Sequence, residues 1–234
     1  MTTTSRQGWM SELAQERASI GRSSTAARVA DALRTRITEG VLLPGTRLSE
    51  EDLGGALGVS RNTLREAFRL LTHERLLVHE FNRGVFVRTL SPDDVRDVYQ
   101  YRRVIECAAL RHAADDSPPE ALDAVRAAVE DGEAAAAMED WPTVGTANMH
   151  FHQAIVDLAG SRRLSETARQ VLAELRLVFH VMANAQRFHE TYLAENRAIH
   201  DLLQAGEITR AESDLAHYLD VAEQQLLDAF RESA

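Results

Sequence analysis

The chain has 234 residues, enough for two compact domains, and carries 26 basic residues, all arginine, against 36 acids, for a formal net charge of −10. No apolar run approaches the roughly 18 residues of a membrane span, and Met1 to Gly21 lacks the apolar stretch of a secretory leader, so a cytoplasmic protein is expected. The single cysteine, Cys107, excludes an internal disulfide framework and lies in a helical apolar pattern, as an inert buried thiol would.

The charge is unevenly divided. Residues 1–90 hold 13 arginines and 10 acids, whereas residues 91–234 hold 13 arginines and 26 acids. Phosphate would repel the second half, so an approach to nucleic acid has to use the first. Three segments follow: residues 1–22, set apart as a flexible arm (a short helix around Trp9 to Ile20 being the other reading); residues 23–90; and residues 91–234.

Ser23, Ser24 and Thr25 offer caps for a helix with apolar positions Val29, Ala30, Leu33 and Ile37, ended by Gly40 and the Leu43-Pro44-Gly45 turn. Ser49-Glu50-Glu51-Asp52 opens a second helix, a cap followed by acids that the helix dipole favours, with apolar positions Leu53, Ala56 and Leu57. After the Gly58-Val59 turn, Ser60 caps a third helix whose stripe is Leu64, Phe68 and Leu71. Arg61, Asn62, Thr63 and Arg65 crowd its start, off the stripe. Arginine spans guanine O6 and N7 in the major groove, and free N–H groups at a helix start meet phosphate. Leu76-Leu77-Val78 and Val85-Phe86-Val87 then flank Asn82-Arg83-Gly84 as a hairpin with a basic tip. Helix, glycine turn, helix and hairpin make a winged helix-turn-helix, with Arg47, Ser60, Arg61, Asn62, Thr63, Arg65, Arg83 and Gly84 as candidate DNA contacts.

Ser91-Pro92-Asp93-Asp94 is a short, capped junction. Beyond it the pattern is helical throughout: Pro92–Ala114, Pro118–Glu139, Thr143–Leu158, Arg162–Ala183, His189–Ala205 and Ile208–Arg231, with breaks that include Trp141-Pro142. Six helices without a strand read as an antiparallel bundle, so the fold class is mainly α, a winged domain followed by an all-α bundle. The chain contains no glycine-rich phosphate loop and no plausible nucleophile–histidine–acid set, so an enzyme is not expected.

The order Ile37, Gly40, Pro44-Gly45, Leu48, Glu50, Leu53, Leu57-Gly58-Val59-Ser60-Arg61, Leu64-Arg65-Glu66-Ala67, Leu71, Leu76, Asn82-Arg83-Gly84 and Phe86-Val87 closely resembles the DNA-binding domain of the GntR family of bacterial transcription regulators. The resemblance implies homodimers on a pseudo-palindromic operator, with Arg61 and Arg65 on bases or phosphates and the wing near Gly84 in the minor groove. Glu51 departs from it, standing where many relatives carry a DNA-holding arginine. Val98, Tyr101, Arg102, Ile105, Glu106 and Ala109, then Phe151-His152, Ala159-Gly160 and Glu195-Asn196-Arg197-Ala198-Ile199, resemble the FCD effector domain of the FadR branch more loosely.

In metal-binding FCD relatives an Asp or Asn and a His four residues apart join two further histidines around a divalent ion. Asn148 and His152 have that spacing and share a helix face, but the other two positions fall on Asn196 and Tyr218, poor substitutes for imidazole. A divalent metal is therefore disfavoured as a cofactor; its candidate ligands are Asn148, His152 and, one turn beyond Asn196, His200. The preferred effector is a small organic acid, bound by Arg102, Asn148, His152, Asn196 and Tyr218, because a guanidinium pairs with carboxylate at two points. The competing role for Arg102 is a structural pair with Glu106, one turn later. His112, His150, His180 and His189 read as surface or satisfied core positions. The expected function is a ligand-responsive repressor or activator of transcription. The alternatives are a regulator holding a metal in a rearranged site and an architectural DNA-binding protein without an effector.

Overall fold

The computed structural model describes residues 25–116, 121–181 and 185–233, so the expected arm at residues 1–22 lies outside the described residues. The chain divides into two compact units: the chain up to Arg36 with Gly45–Arg88, and Ile37–Pro44 with Thr89 onward.

Helix α1 (25–38) buries the expected stripe, Val29, Ala30, Leu33 and Ile37, and Ala26 beside it. Gly40, at φ +74°, follows its end. The short strand β1 (Arg47–Leu48) leads into α2 (Glu50–Leu57), capped by Ser49, whose hydroxyl accepts from the Asp52 N–H at 3.2 Å. None of the α2 residues is buried, and its apolar positions Ala56 and Leu57 face solvent. α2 approaches the next helix through Gly54, where a Cβ would meet the Leu64 side chain at 3.4 Å.

Helix α3 (Arg61–His73) buries Leu64, Ala67, Phe68 and Leu71 on one face. Arg34 of α1 grips Glu74 at its C-terminal end with two hydrogen bonds of 2.6 and 2.7 Å, the planar fork that suits a carboxylate. Strands β2 (Leu77–Glu80) and β3 (Gly84–Val87) form the expected hairpin. β1 adds to β3, giving an antiparallel sheet of order β1-β3-β2, with Arg47 opposite Phe86. β1 is not apparent in the sequence, because two residues show no alternation and hold their place by pairing.

The second unit contains α4 (Pro92–Asp116), α5 (Ala121–Ala137), α6 (Trp141–Asp157), α7 (Arg162–Arg176), a 3₁₀ turn (Leu177–Val181), α8 (Ala185–Gln204) and α9 (Ile208–Ser233). Ser91 and Asp94 cap α4 reciprocally: the Ser91 hydroxyl accepts from the Asp94 N–H at 3.2 Å, and the Asp94 carboxylate accepts from the Ser91 N–H at 2.8 Å. α5 lies along α6 and α4 along α9, while α6 also meets α4, α7 and α8. α6 is thus central, and its Val144, Ala147, Phe151, Ala154 and Ile155 are buried. Trp141-Pro142 begins α6 instead of breaking the chain before it. Asp140 caps the helix through the Thr143 N–H at 3.2 Å, and proline is tolerated in a first turn that needs no N–H from it. α7 also stops short of the expected Ala183, tightening into the 3₁₀ turn after Arg176.

Candidate nucleic-acid interface and effector centre

The start of α3 is an exposed polar edge. The Ser60 hydroxyl accepts from the Thr63 N–H at 3.1 Å and lies 2.8 Å from the Thr63 hydroxyl, so both side chains are already used in building the helix start. Arg61 and Asn62 stand free of the core, exposed. Arg65 is exposed too, but its Nε donates to both Glu50 carboxylate oxygens, at 2.9 and 3.1 Å, which fixes the guanidinium over the α2–α3 corner. Arg69 pairs with Glu66 one turn further on, through bonds of 2.6 and 3.0 Å.

At the wing, Arg47 and Gly84 come together through the β1–β3 pairing. A Cβ at Gly84 would sit 3.4 Å from the Arg47 Nε, and the φ of +109° there is one that side-chain-bearing residues rarely adopt. Arg83 pairs with Glu80, and its guanidinium stands 5.3 Å from the Phe86 ring centre. Phe81, at the tip, is almost wholly exposed. The eight expected contact residues therefore form two clusters within one unit, the α3 start and the wing.

The five expected effector residues meet in the helical unit as one buried network. The Arg102 Nε donates to Glu106 Oε1 at 2.7 Å, and Glu106 Oε2 lies 2.8 Å from His152 Nδ1. His152 Nε2 lies 3.0 Å from the Tyr218 hydroxyl, which lies 3.0 Å from Asn148 Oδ1, itself 2.7 Å from Asn196 Nδ2. Each of these six side chains is at most 7% exposed. α4, α6, α8 and α9 are joined by this chain of contacts. The Arg102 guanidinium also stands 4.8 Å from the centre of the Tyr99 ring.

Burial opposes ionisation of Glu106, but the Arg102 charge, then His152, hold its carboxyl below the usual carboxylate range. Burial, then the Arg102 charge, push the His152 imidazole below its usual value, and the Tyr218 phenol is raised mainly by burial. The structural pairing of Arg102 is thus present, yet Arg102 Nη2 remains buried without a hydrogen-bond partner, as does Asn196 Oδ1. Glu106 is the member whose role sequence spacing understates. Its place one turn after Arg102 accounts for the pair, whereas its bond to His152 spans 46 residues.

A divalent metal does not fit these residues. The set offers one imidazole, two neutral amides, a phenol and the Glu106 carboxylate, which is already spent on Arg102 and His152, and both His152 nitrogens are engaged within the network. His200 lies buried with Nδ1 at 3.1 Å from Asp201, and among the described residues no three His, Cys, Asp or Glu groups are placed to hold a metal ion.

A second buried cation was not anticipated. Arg176 donates to the carbonyls of Thr38 at 2.7 Å and Pro142 at 2.9 Å. Gly145 makes room for it, since a Cβ there would collide with the guanidinium. His189 lies alongside, buried, with its pKa lowered to about 4 by burial and then by the Arg176 charge. His112 and His150 are exposed, as expected of surface histidines. The Cys107 thiol is buried and raised to about 11, chiefly by burial.

Comparison with known proteins matches residues 25–87 to the bacterial regulatory proteins of the gntR family and residues 97–221 to the FCD domain. A crystal structure from Rhodococcus sp. RHA1 assigned to the GntR regulators is 46% identical, with a TM-score of 0.83 over 88% of this chain and 99% of that one. The uncharacterised HTH-type regulator YdhC of Bacillus subtilis is 29% identical over 80% of this chain and 84% of its own. The gluconate operon transcriptional repressor of Bacillus licheniformis is 38% identical over 37% of this chain and 35% of its own. These relatives are transcription regulators, not enzymes, and no helix among the described residues is long and apolar enough to cross a membrane. The chain accordingly belongs to the GntR family, a DNA-binding transcription regulator that joins a winged helix-turn-helix to an FCD effector domain.

Proposed function

We propose that this regulator represses transcription as a homodimer on a two-fold operator and responds to a small carboxylate held at the buried polar centre of its FCD domain. The observation that carries the effector half is Arg102 Nη2, a buried cationic donor that the fold leaves without a partner beside a pair that already occupies Nε. Such a donor is costly when orphaned and gains most from an anionic acceptor. Because Glu106 takes the Nε position, the orphaned Nη2 is the donor through which the effector meets Arg102.

On the DNA side, Arg61, Asn62 and Arg65 face base edges or phosphate, and Arg47, Arg83 and Gly84 form the wing contact. The Ser60 and Thr63 side chains, already committed to the helix start, act by holding Arg61 in place. Half-sites about one turn of duplex apart tolerate little displacement of the two α3 helices, so a modest change in the FCD domains alters operator affinity strongly. The capped start at Ser91-Pro92 leaves little slack in the chain to absorb such a change.

Thermal melting across a panel of small carboxylates tests the effector. A ligand bound only by the folded state raises the melting temperature, and the same compound should change operator affinity in a gel-shift assay at fixed salt. A panel in which no carboxylate raises the melting temperature, or one whose hits still bind Arg102→Met equally well, refutes the assignment.

A further inference from the structure

The polar centre of the helical unit is constrained by a shortage of hydrogens. Tyr218 has one hydroxyl hydrogen, yet its oxygen is 3.0 Å from His152 Nε2 and 3.0 Å from Asn148 Oδ1. On the far side of the ring, Glu106 accepts at His152 Nδ1. An ionised carboxylate has only lone pairs to offer, so Nδ1 carries the ring proton. A second ring proton, on Nε2, would make His152 a cation. The one carboxylate of this network, Glu106, is already matched by Arg102, and an unmatched buried charge is expensive. Nε2 is therefore a bare lone pair, and the hydroxyl hydrogen of Tyr218 goes to it.

Asn148 is then left with an oxygen facing the Tyr218 oxygen at 3.0 Å, an unfavourable pairing that the same side chain can relieve. Oxygen and nitrogen of an amide fill nearly equal volumes, and exchanging them requires no repacking. With its amide turned, Asn148 donates one N–H to the Tyr218 oxygen and the other to Asn196, whose own amide turns to accept. The Asn196 group left over becomes the amide nitrogen, a donor, in the place of the buried oxygen that has no partner. Arg102 Nη2, the other orphan of the network, is also a donor.

We infer that this FCD domain is wired without a metal: the Tyr218 hydroxyl occupies the imidazole lone pair that a divalent ion would take, and the two orphaned positions of the centre, Arg102 Nη2 and the Asn196 amide nitrogen, are both donors. The wiring stands on the four helices' own contacts, whereas its ligand side, that the occupant offers acceptors to these two donors, rests on the effector reading above. From Glu106 through His152 and Tyr218 to Asn148, each contact in this arrangement joins one donor to one acceptor, and no metal ion is needed to complete it.

The test uses the full-length protein with isotope-labelled histidine. Proton–nitrogen spectra, with the His152 signals assigned by their loss in His152→Gln, should show a neutral ring protonated at Nδ1 and bare at Nε2. In Tyr218→Phe the Nε2 signal should move to that of a nitrogen without a donor. A ring protonated at Nε2, or an Nε2 signal unmoved by Tyr218→Phe, overturns the wiring. Should Tyr218→Phe fail to fold, the wild-type spectrum alone decides. In parallel, the chelator-treated protein is titrated with zinc or nickel chloride during thermal melting. No metal-dependent rise, or a rise that survives His152→Gln and so comes from other histidines, is the expected result. Stoichiometric metal in the purified protein, or a rise abolished by His152→Gln, overturns the inference. The two readings fail separately: a panel without a carboxylate hit leaves the spectra as they are, and a bound metal refutes the wiring even where a carboxylate binds.

Discussion

Arg61 at the start of α3 and Arg102 in the core of the FCD domain are the same residue type in opposite surroundings. Arg61 is exposed and contributes nothing to the core around it. Arg102 is 2% exposed, bonded to Glu106 and set against the Tyr99 ring. A surface arginine keeps its charge available to a partner at little cost to the fold. A buried one is tied to its partners, and removing either member leaves an uncompensated charge. The exposed site is thus separable from stability, and the buried one is not.

The contrast is broken most severely at the buried pair. Arg102→Ala should lower unfolding stability by about 3–5 kcal/mol in urea titration, because Glu106 is left buried without its cation. A loss below about 1 kcal/mol would mean that the network does not depend on the pair.

His189 sharpens the same point through pH. Its folded pKa, about 4, lies below the unfolded value of 6.5, so the unfolded chain takes up the proton first as pH falls. The stability it contributes is complete above pH 6.5 and drains away toward pH 4, by an amount on the order of 3 kcal/mol for the full shift. Stability curves of wild type and His189→Gln should therefore converge on acidification across that window, and parallel curves would refute the assignment.

Arg61→Ala tests the exposed side. Specific operator affinity should fall by about 1–3 kcal/mol, with the melting temperature unchanged. Unaltered specific affinity at fixed salt would remove the α3 start from the interface. The smallest effect is expected at Glu50→Gln. Releasing Arg65 and removing an acid from this face should raise non-specific DNA affinity by less than tenfold, while stability changes by no more than about 1 kcal/mol. A large stability loss there would place the Glu50–Arg65 pair among the structural ones.

The two sites were also legible to different degrees. The α3 start and the wing are written in adjacent residues: a cap at Ser60, a stripe at Leu64, Phe68 and Leu71, and a turn at Asn82-Arg83-Gly84, all local signals. The candidate effector centre is not local. Asn148 and His152 show their shared face through spacing, but Asn196 and Tyr218 enter only through family resemblance, and the Glu106–His152 bond has no trace in either. Where local reading failed, a longer-range partner or a cap decided the outcome. Strand β1 exists by pairing with β3, and Pro142 is kept in α6 by the Asp140 cap. The Arg176–His189 pair depends on the missing side chain at Gly145, which spacing does not advertise.

Cys107 follows Glu106 directly on α4 and is the chain's one thiol, buried and kept protonated near neutral pH. Alkylation requires a thiolate reached by solvent, so the folded chain is protected twice over. The rate at which an added alkylating reagent consumes this sulfur therefore measures how often α4 lifts away from its neighbours. The molecule contains its own stopwatch for the opening of the helix that bears Arg102, one that can be read with and without a candidate ligand and without adding a label.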